Sequence, residues 1–265
     1  MRPDLFEAAL ALAALETPGR PLALYLSFFD DLRADLLPLA GAAVTARDRA
    51  ALLSRCLHDR LGFSGDRDNY DALENADLMA VIDRRKGLPV TLGILYIALA
   101  RALGWPAWGL NFPAHFLIRI DNGGDRAIVD PFHDGAVLTT ADMRQLLKTM
   151  TGDSAELKPA YYTPLSDRDL LLRLLNNIKM RRLTAGDFAS AIAVLHRMLL
   201  IAPDMAETWY DIAILELHRD AQDAGREALE KCLDCLNMEP QATANHSDLR
   251  DRVLKSLREL PPLME

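Results

Sequence analysis

Two short segments in the middle of the chain carry a histidine and an aspartate that could work together as an acid–base pair. His115 lies in "PAHFLIRI" and Asp130 lies in "AIVDPF", and both segments have the character of β-strands. In such a pair the imidazole accepts and returns a proton, while the carboxylate fixes the tautomer of the ring. Covalent chemistry would also need a nucleophile within reach of the imidazole.

The hairpin loop "DNGGD" between the two strands decides whether the side chains meet. If Asn122 and Gly123 form the turn, His115 lies directly opposite Asp130. If the turn is formed by the two glycines instead, the pair are diagonal neighbours on the same face of the sheet. A three-residue loop would send the two side chains to opposite faces. Either even-length turn therefore predicts that they meet.

The segment "RKGLPVTLGILYIALARAL" predicts a helix that begins at Pro89 and ends before Gly104. It is apolar nearly all round, so we expect it to be the buried central helix. The residues before it, from 3 to about 61, also have helical patterns, and the second of these helices should end at Pro38.

The sequence does not identify a nucleophile for this pair, and three interpretations of the site remain. Thr91 has a hydroxyl in the first turn of the predicted helix, but it lies about 200° round that helix from Pro89. A threonine inside a helix more often hydrogen-bonds to its own backbone. Cys56 lies mid-helix among apolar neighbours, which favours inert packing. In the third reading, His115 and Asp130 bind an ion or a ligand beside the helix N-terminus without turnover. The pair could also be a purely structural hydrogen bond.

These segments together resemble the transglutaminase-like superfamily, and in particular its bacterial SirB-type branch, in which such a domain precedes tetratricopeptide repeats. The resemblance covers roughly residues 30 to 240. The stretches that carry it are "RRKGLPVTLGILYIALARALGWPA", "NFPAHFLIRI", "AIVDPF" and "LLRLLNNIK".

The resemblance implies a Cys-His-Asp triad whose cysteine opens the central helix about fifteen residues before "ALG-x-P". Counting back from Gly104 in "ALGWP" places that cysteine at Pro89, and the histidine and aspartate fall on His115 and Asp130. Proline offers neither a proton nor a lone pair, so cysteine chemistry at this position is excluded. Inherited geometry does not imply retained activity.

Other residues are expected around this pair. Arg119 shares the face of His115 by the two-residue period of a strand, so we expect it to line the same pocket together with Pro89. His133 and Asp134 in "PFHDG" are interpreted as turn residues, with His133 close to the site.

The C-terminal third resembles two degenerate tetratricopeptide repeats, in "GDFASAIAVLHRMLLIAPDMAETWYDIAILEL" and "AGREALEKCLDCLNMEP". Pro203 and Pro240 are 37 residues apart, close to the repeat period of about 34. Trp209 occupies the early aromatic position, and Trp209 and Tyr210 are candidate protein-binding residues. Two functions remain open: binding a protein or peptide, or packing against the first domain.

The sequence predicts no metal site and no cofactor. Cys232 and Cys235 have the spacing of a metal or redox pair, but no further ligands are evident and both lie mid-helix. We therefore interpret both thiols as packing groups.

Composition restricts the partners. The net charge is −8 and no basic block is present, which disfavours binding to nucleic acid or to a membrane surface. Acidic residues interrupt the N-terminal Ala/Leu run, so it is not interpreted as a signal peptide, and no uncharged stretch approaches the roughly 18 residues of a membrane helix. Three cysteines suggest no disulfide framework, and a cytoplasmic location is expected. The oligomeric state stays open.

We predict an α+β fold with a helical N-terminal part, a papain-like core with a small antiparallel sheet, and an all-α repeat region. Residues 1–160 should form the transglutaminase-like domain, helical over 1–86 and with the core helix and sheet over 87–135. Residues 166–265 should form the helical repeats, after a linker.

The expected function is a non-catalytic, cytoplasmic interaction or regulatory module with a protein or peptide partner. The alternative is a hydrolase or amidase that uses Thr91, His115 and Asp130 in place of a Cys-His-Asp triad.

Overall fold

A computed structural model of the chain describes residues 4–238 and 244–260. The chain divides into two compact units, one that extends to Leu174 and one that begins at Leu175. The first unit combines helices with a small antiparallel sheet, and the described part of the second unit is entirely helical. The predicted α+β fold class is confirmed.

The N-terminal part of the first unit is helical. Its helices are α1 (Leu5–Glu16), α2 (Leu22–Ala40), α3 (Ala46–Ser54), which continues as a π-helical segment at Arg55–Arg60, and α4 (Leu78–Arg84). The prediction that α2 ends at Pro38 is wrong, because the helix continues to Ala40. Pro38 lies in the last turn, where its missing N–H removes a single helical hydrogen bond.

Helix α5 (Pro89–Ala102) is the buried centre of the first unit. Every residue from Pro89 to Ala100 is buried, as the apolar pattern predicts. Leu88 is the N-cap and Pro89 is the first helical residue, where the missing N–H of proline costs nothing. Gly104 follows the helix with a φ of +79°, a left-handed conformation that glycine adopts without a steric penalty.

An antiparallel sheet carries the histidine and aspartate segments. Its strands pair in the order β3 (Ala107–Gly109), β4 (Ile118–Asn122), β5 (Asp125–Asp130) and β6 (Ala136–Leu138). Asn122 pairs with Asp125, so Gly123 and Gly124 form the hairpin turn. Both glycines have positive φ, as a type I′ turn requires.

Two very short parallel strands connect the segment before α4 to the start of α5. They are β1 (Ser64–Gly65) and β2 (Lys86–Gly87), and a 3-10 turn lies at Leu73–Ala76. The nitrogen of Asp66 donates to the carbonyl of Gly87, which anchors the backbone immediately before α5.

The first unit extends beyond the predicted domain border, through α6 (Thr140–Thr151), a 3-10 turn at Pro159–Tyr162 and the first half of α7 (Asp167–Thr184). The segment interpreted as a linker packs on the sheet, since Leu165 donates its N–H to the carbonyl of Gly109. Arg101 also forms an ion pair of 2.7 Å with Asp167.

The second unit contains the rest of α7 followed by α8 (Phe188–Ile201), α9 (Ala206–His218), α10 (Gln222–Met238) and α11 (Ala244–Glu259). Ala191 and Ala228, the small residues that lie twelve positions before Pro203 and Pro240 in the two predicted repeats, are both buried. Pro240, which closes the second repeat in the sequence, lies outside the described residues. Among the described residues, no helix has the length and apolar character needed to cross a membrane.

Candidate functional site

The structure brings His115 and Asp130 together. His115 Nε2 lies 2.8 Å from Asp130 Oδ2, and both side chains are buried. The hairpin has the second of the two predicted registers, in which the residues are diagonal neighbours on one face. His115 itself precedes β4, and the adjacent Ala114 has a φ of +54°.

The Asp130 carboxylate is held by backbone as well as by side chains. Its Oδ1 accepts the N–H groups of Phe132 at 3.0 Å and His133 at 3.2 Å. Its Oδ2 lies within hydrogen-bonding distance of both imidazoles, since His133 Nδ1 is 2.7 Å away in addition to His115 Nε2. Burial raises the pKa of this carboxyl, but the hydrogen bonds and charges of His115 and His133 outweigh burial, so the pKa lies below its ordinary value. Asp130 is therefore ionised at neutral pH.

Phe116 and Arg173 position the segment that carries His115. A Cβ atom on Gly93 would lie 2.2 Å from the Phe116 ring, so α5 admits this ring only because residue 93 has no side chain. Arg173 Nη2 donates to the His115 carbonyl at 3.2 Å, and its guanidinium lies 5.3 Å from the centre of the Phe116 ring.

Pro89 and Thr91 point to different sides of α5. Pro89 and Gly93 are four residues apart and share a helix face, and Gly93 is the residue that Phe116 contacts. The face of Pro89 is therefore the face toward the His115 segment. Thr91 lies about 200° away, is fully buried, and donates its hydroxyl to the Asn75 carbonyl at 2.9 Å.

Asn75 is a structural residue of this site that the sequence did not reveal. Its carbonyl accepts the Leu88 N–H at 3.0 Å, and its Nδ2 donates to the Asn69 carbonyl at 2.7 Å. Arg84 donates to Asn75 Oδ1 and forms an ion pair with Asp66, each at 3.0 Å. This buried polar network fixes the backbone at the N-cap of α5. Its members are scattered through a polar stretch that has no motif, so no local signal identified it.

His133 is the second feature whose role the sequence did not assign. The turn after β5 places it three residues beyond Asp130, within hydrogen-bonding distance of the same carboxylate oxygen. The Phe132 ring, between Asp130 and His133 in the chain, packs directly on Gly65, where an added Cβ atom would lie only 2.4 Å from the ring. The Gly65 N–H also donates to the Phe132 carbonyl. The three-residue spacing of Asp130 and His133 in "DPFHDG" is the available signal, and the same segment has the composition of a turn.

Comparison with known proteins agrees with this architecture. Residues 25–176 match the family described as the transglutaminase-like superfamily, which is more than half of the chain. The chain belongs to the transglutaminase-like superfamily. Residues 178–257 match the tetratricopeptide repeat.

Similar proteins extend over most of the chain. A UPF0162 protein of Pseudomonas aeruginosa is 33% identical over 231 residues, which cover 87% of this chain and 84% of the relative. A UPF0162 protein of Xylella fastidiosa is 29% identical over 241 residues, covering 86% and 83%. F-box only protein 21 of Homo sapiens is 33% identical over 131 residues, covering 46% of this chain and 20% of that protein.

Within the transglutaminase-like domain, two other predicted residues have separate partners. The Cys56 thiol is buried and accepts a hydrogen bond from Arg60 at 3.2 Å, and burial raises its pKa. Arg119 forms an ion pair of 2.9 Å with Asp121, donates to the Tyr162 carbonyl and covers the Trp108 ring.

In the tetratricopeptide unit, Trp209 and Tyr210 line two different grooves. Trp209 borders a groove of about 440 Å³, with Lys231 Nζ 4.8 Å from its ring centre and the exposed Met238 at the edge. Tyr210 borders a groove of about 400 Å³, with the Arg252 guanidinium 4.6 Å from its ring centre. Each groove therefore offers an aromatic ring with a cation beside it.

The two cysteines of α10 have different environments. Cys232 is fully buried, and burial raises the pKa of its thiol to about 12. Cys235 is partly exposed at the Trp209 groove, with its thiol 3.8 Å from the Pro203 carbonyl.

Proposed function

We propose that the chain is a non-catalytic transglutaminase-like protein of the bacterial SirB-type branch, which acts in the cytoplasm as an interaction or regulatory module. One observation carries the proposal. The helix position toward the His115 segment is occupied by Pro89, and the next hydroxyl along that helix, from Thr91, donates to the Asn75 carbonyl instead.

Recruiting Thr91 as a nucleophile would require a large rearrangement. The hydroxyl would have to leave a hydrogen bond in the protein interior, a loss of about 1–3 kcal/mol for a buried group left without its partner. It would also have to cross to a helix face about 200° away. The intact His115–Asp130 pair is the one observation that favours the hydrolase alternative.

The interaction role follows from the helical repeats. Tetratricopeptide repeats expose grooves that bind proteins or peptides, and Trp209 and Tyr210 are of the aromatic types that dominate such contacts. The net charge of −8 disfavours nucleic acid and anionic membranes as partners. The proposed partner is a protein or peptide.

A turnover assay tests the catalytic half of this proposal. The wild type, Thr91→Val and His115→Ala are compared on a panel of glutamine amides, peptide amides and activated esters. We expect the same background rate for all three proteins. Wild-type turnover that both substitutions abolish, with all three proteins folded, would establish the hydrolase alternative and overturn the proposal.

A binding comparison tests the other half. Affinity purification from bacterial extract is performed with the wild type, Trp209→Ala, Tyr210→Ala and Leu200→Ala. Leu200 is a control in the same unit, because it is 80% exposed and borders neither groove. We expect a partner that the wild type and the control retain and that at least one groove variant loses. Identical recovery with all four proteins would contradict binding through these grooves.

A further inference from the structure

Three potential metal ligands converge on one point beside the sheet. The ligand atoms of His115, Asp130 and His133 all lie within 4.8 Å of one another. Two imidazole nitrogens and one carboxylate oxygen form a donor set that suits zinc and similar divalent ions. Within the described residues, this is the one cluster of its kind.

The carboxylate is already oriented for such a role. The backbone N–H groups of Phe132 and His133 hold Asp130 Oδ1, which leaves Oδ2 directed at both imidazoles. Metal-binding carboxylates commonly have their second oxygen fixed by hydrogen bonds in this way.

His133 distinguishes this arrangement from a simple histidine–aspartate pair. One imidazole is enough to pair with the buried carboxylate, yet His133 Nδ1 also lies 2.7 Å from the same oxygen, Asp130 Oδ2. The His133 side chain is 48% exposed, whereas His115 and Asp130 are buried. The cluster therefore has two buried groups and one ligand at the surface, which gives an ion a route of entry.

We propose that His115 Nε2, His133 Nδ1 and Asp130 Oδ2 bind a divalent transition-metal ion, with zinc as the best match. Bonds of about 2.0–2.1 Å in tetrahedral geometry place neighbouring ligand atoms about 3.3 Å apart. The two nitrogens lie 2.8 and 2.7 Å from Oδ2, so each imidazole must move away from this oxygen by roughly half an ångström. The exposed His133 ring can make that movement.

If both imidazoles are neutral, binding of the metal ion neither releases nor takes up a proton. Each imidazole that donates an N–H to Asp130 exchanges that hydrogen bond for a metal bond, and its proton moves to the other ring nitrogen. Three protein ligands leave the fourth position of zinc for a water molecule or a ligand atom. This inference does not depend on the proposed function, because an ion could bind whether or not the protein has a partner or turns over a substrate.

Metal titration of the untagged full-length protein tests the proposal. Zn²⁺ binding is measured by calorimetry and Co²⁺ binding by its visible absorption spectrum, after treatment with a chelator. His133→Ala is the decisive variant, because this side chain is the most exposed of the three ligands and the variant keeps the backbone N–H that donates to Asp130 Oδ1. His218→Ala is the matched control, since His218 is also exposed and lies in the second unit.

We expect one ion per chain for the wild type and the control, and an affinity lowered by at least about 10–100-fold in His133→Ala. Zn²⁺ should also raise the Tm of the wild type and have a smaller effect on that of the variant. Wild-type affinity no tighter than millimolar would overturn the proposal. Equal affinity in His133→Ala and the wild type would overturn it too, because the ion would then bind elsewhere.

Discussion

At the scale of single residues, the site holds a buried histidine–aspartate pair, and the central helix beside it begins with a proline. His115 and Asp130 form a short buried contact, while Pro89 occupies the first position of α5. Sequence spacing predicted the contact between His115 and Asp130, because a two-residue period and an even turn constrain it. It did not predict the destination of the Thr91 hydroxyl, because Asn75 is brought there by tertiary folding.

Thr91 should contribute to stability. Thr91→Val removes the hydrogen-bond donor to the Asn75 carbonyl with little change in shape, so we expect the free energy of unfolding to fall by about 1 kcal/mol. Chemical denaturation measures this difference. Thr91→Ser, which keeps the hydroxyl, should retain that hydrogen bond. A Thr91→Val protein as stable as the wild type would show that the hydrogen bond contributes nothing.

Asp66 should give the protein part of its sensitivity to acid. Burial raises the pKa of Asp66, but hydrogen bonds from Asn69 and Asn75 and the Arg84 guanidinium outweigh burial and leave the pKa below its ordinary value. Its stabilisation is therefore present above the unfolded pKa of about 3.9 and is lost as the pH falls through the folded value. Asp66→Asn should be less stable than the wild type at neutral pH. The two stability curves, measured by denaturation from pH 7 downward, should converge below about pH 4, and a constant difference would contradict this assignment.

At the scale of elements, close packing of α5 against the His115 segment builds the site. The sequence predicted α5 and the hairpin because their patterns are local and periodic. It placed His115 within a strand, whereas the chain turns at Ala114 and β4 begins only at Ile118. Phe116, two residues after that turn, packs against Gly93, a contact between residues distant in the sequence that periodicity does not encode.

Gly93→Ala tests this packing. The added methyl group would overlap the Phe116 ring, so we expect a loss of about 1–3 kcal/mol in the free energy of unfolding, despite the better helix propensity of alanine. Gly41→Ala is the matched control, because a Cβ atom there meets nothing within 4 Å and its φ is −66°. Thermal and chemical denaturation of both variants gives the comparison. Equal stability of Gly93→Ala and the wild type would contradict the proposed positioning of His115.

At the scale of the whole molecule, the chain combines a transglutaminase-like unit with a repeat unit. The sequence resemblance anticipated both, since each has its own pattern along the chain. It placed the border between residues 160 and 166, whereas the contacts divide the chain at Leu174, inside α7. The apolar residues of α7 continue without a break across that point, so no composition change marks it.

The burial of the three cysteines predicts their order of reaction with a thiol reagent. Cys56 and Cys232 are buried, with burial raising the pKa of each thiol, and Cys235 is partly exposed. A short pulse of iodoacetamide at neutral pH should therefore label Cys235 first, because reaction requires both access and the thiolate. Peptide mapping by mass spectrometry locates the label. Labelling of Cys232 as fast as Cys235 would contradict the packing of α10.

We propose that the site is a triad frame without its nucleophile, and the thiol pKa of Pro89→Cys tests this proposal. The ultraviolet absorbance of the thiolate is followed against pH for Pro89→Cys and for Pro89→Cys combined with His115→Ala, with the wild type as the baseline. A helix N-terminus and an adjacent imidazolium both stabilise a thiolate. We predict a pKa well below the ordinary value of about 8.5, and a return to or above that value when His115 is removed. A pKa at or above 8.5 in both proteins would show that position 89 does not face His115, and would overturn the proposal.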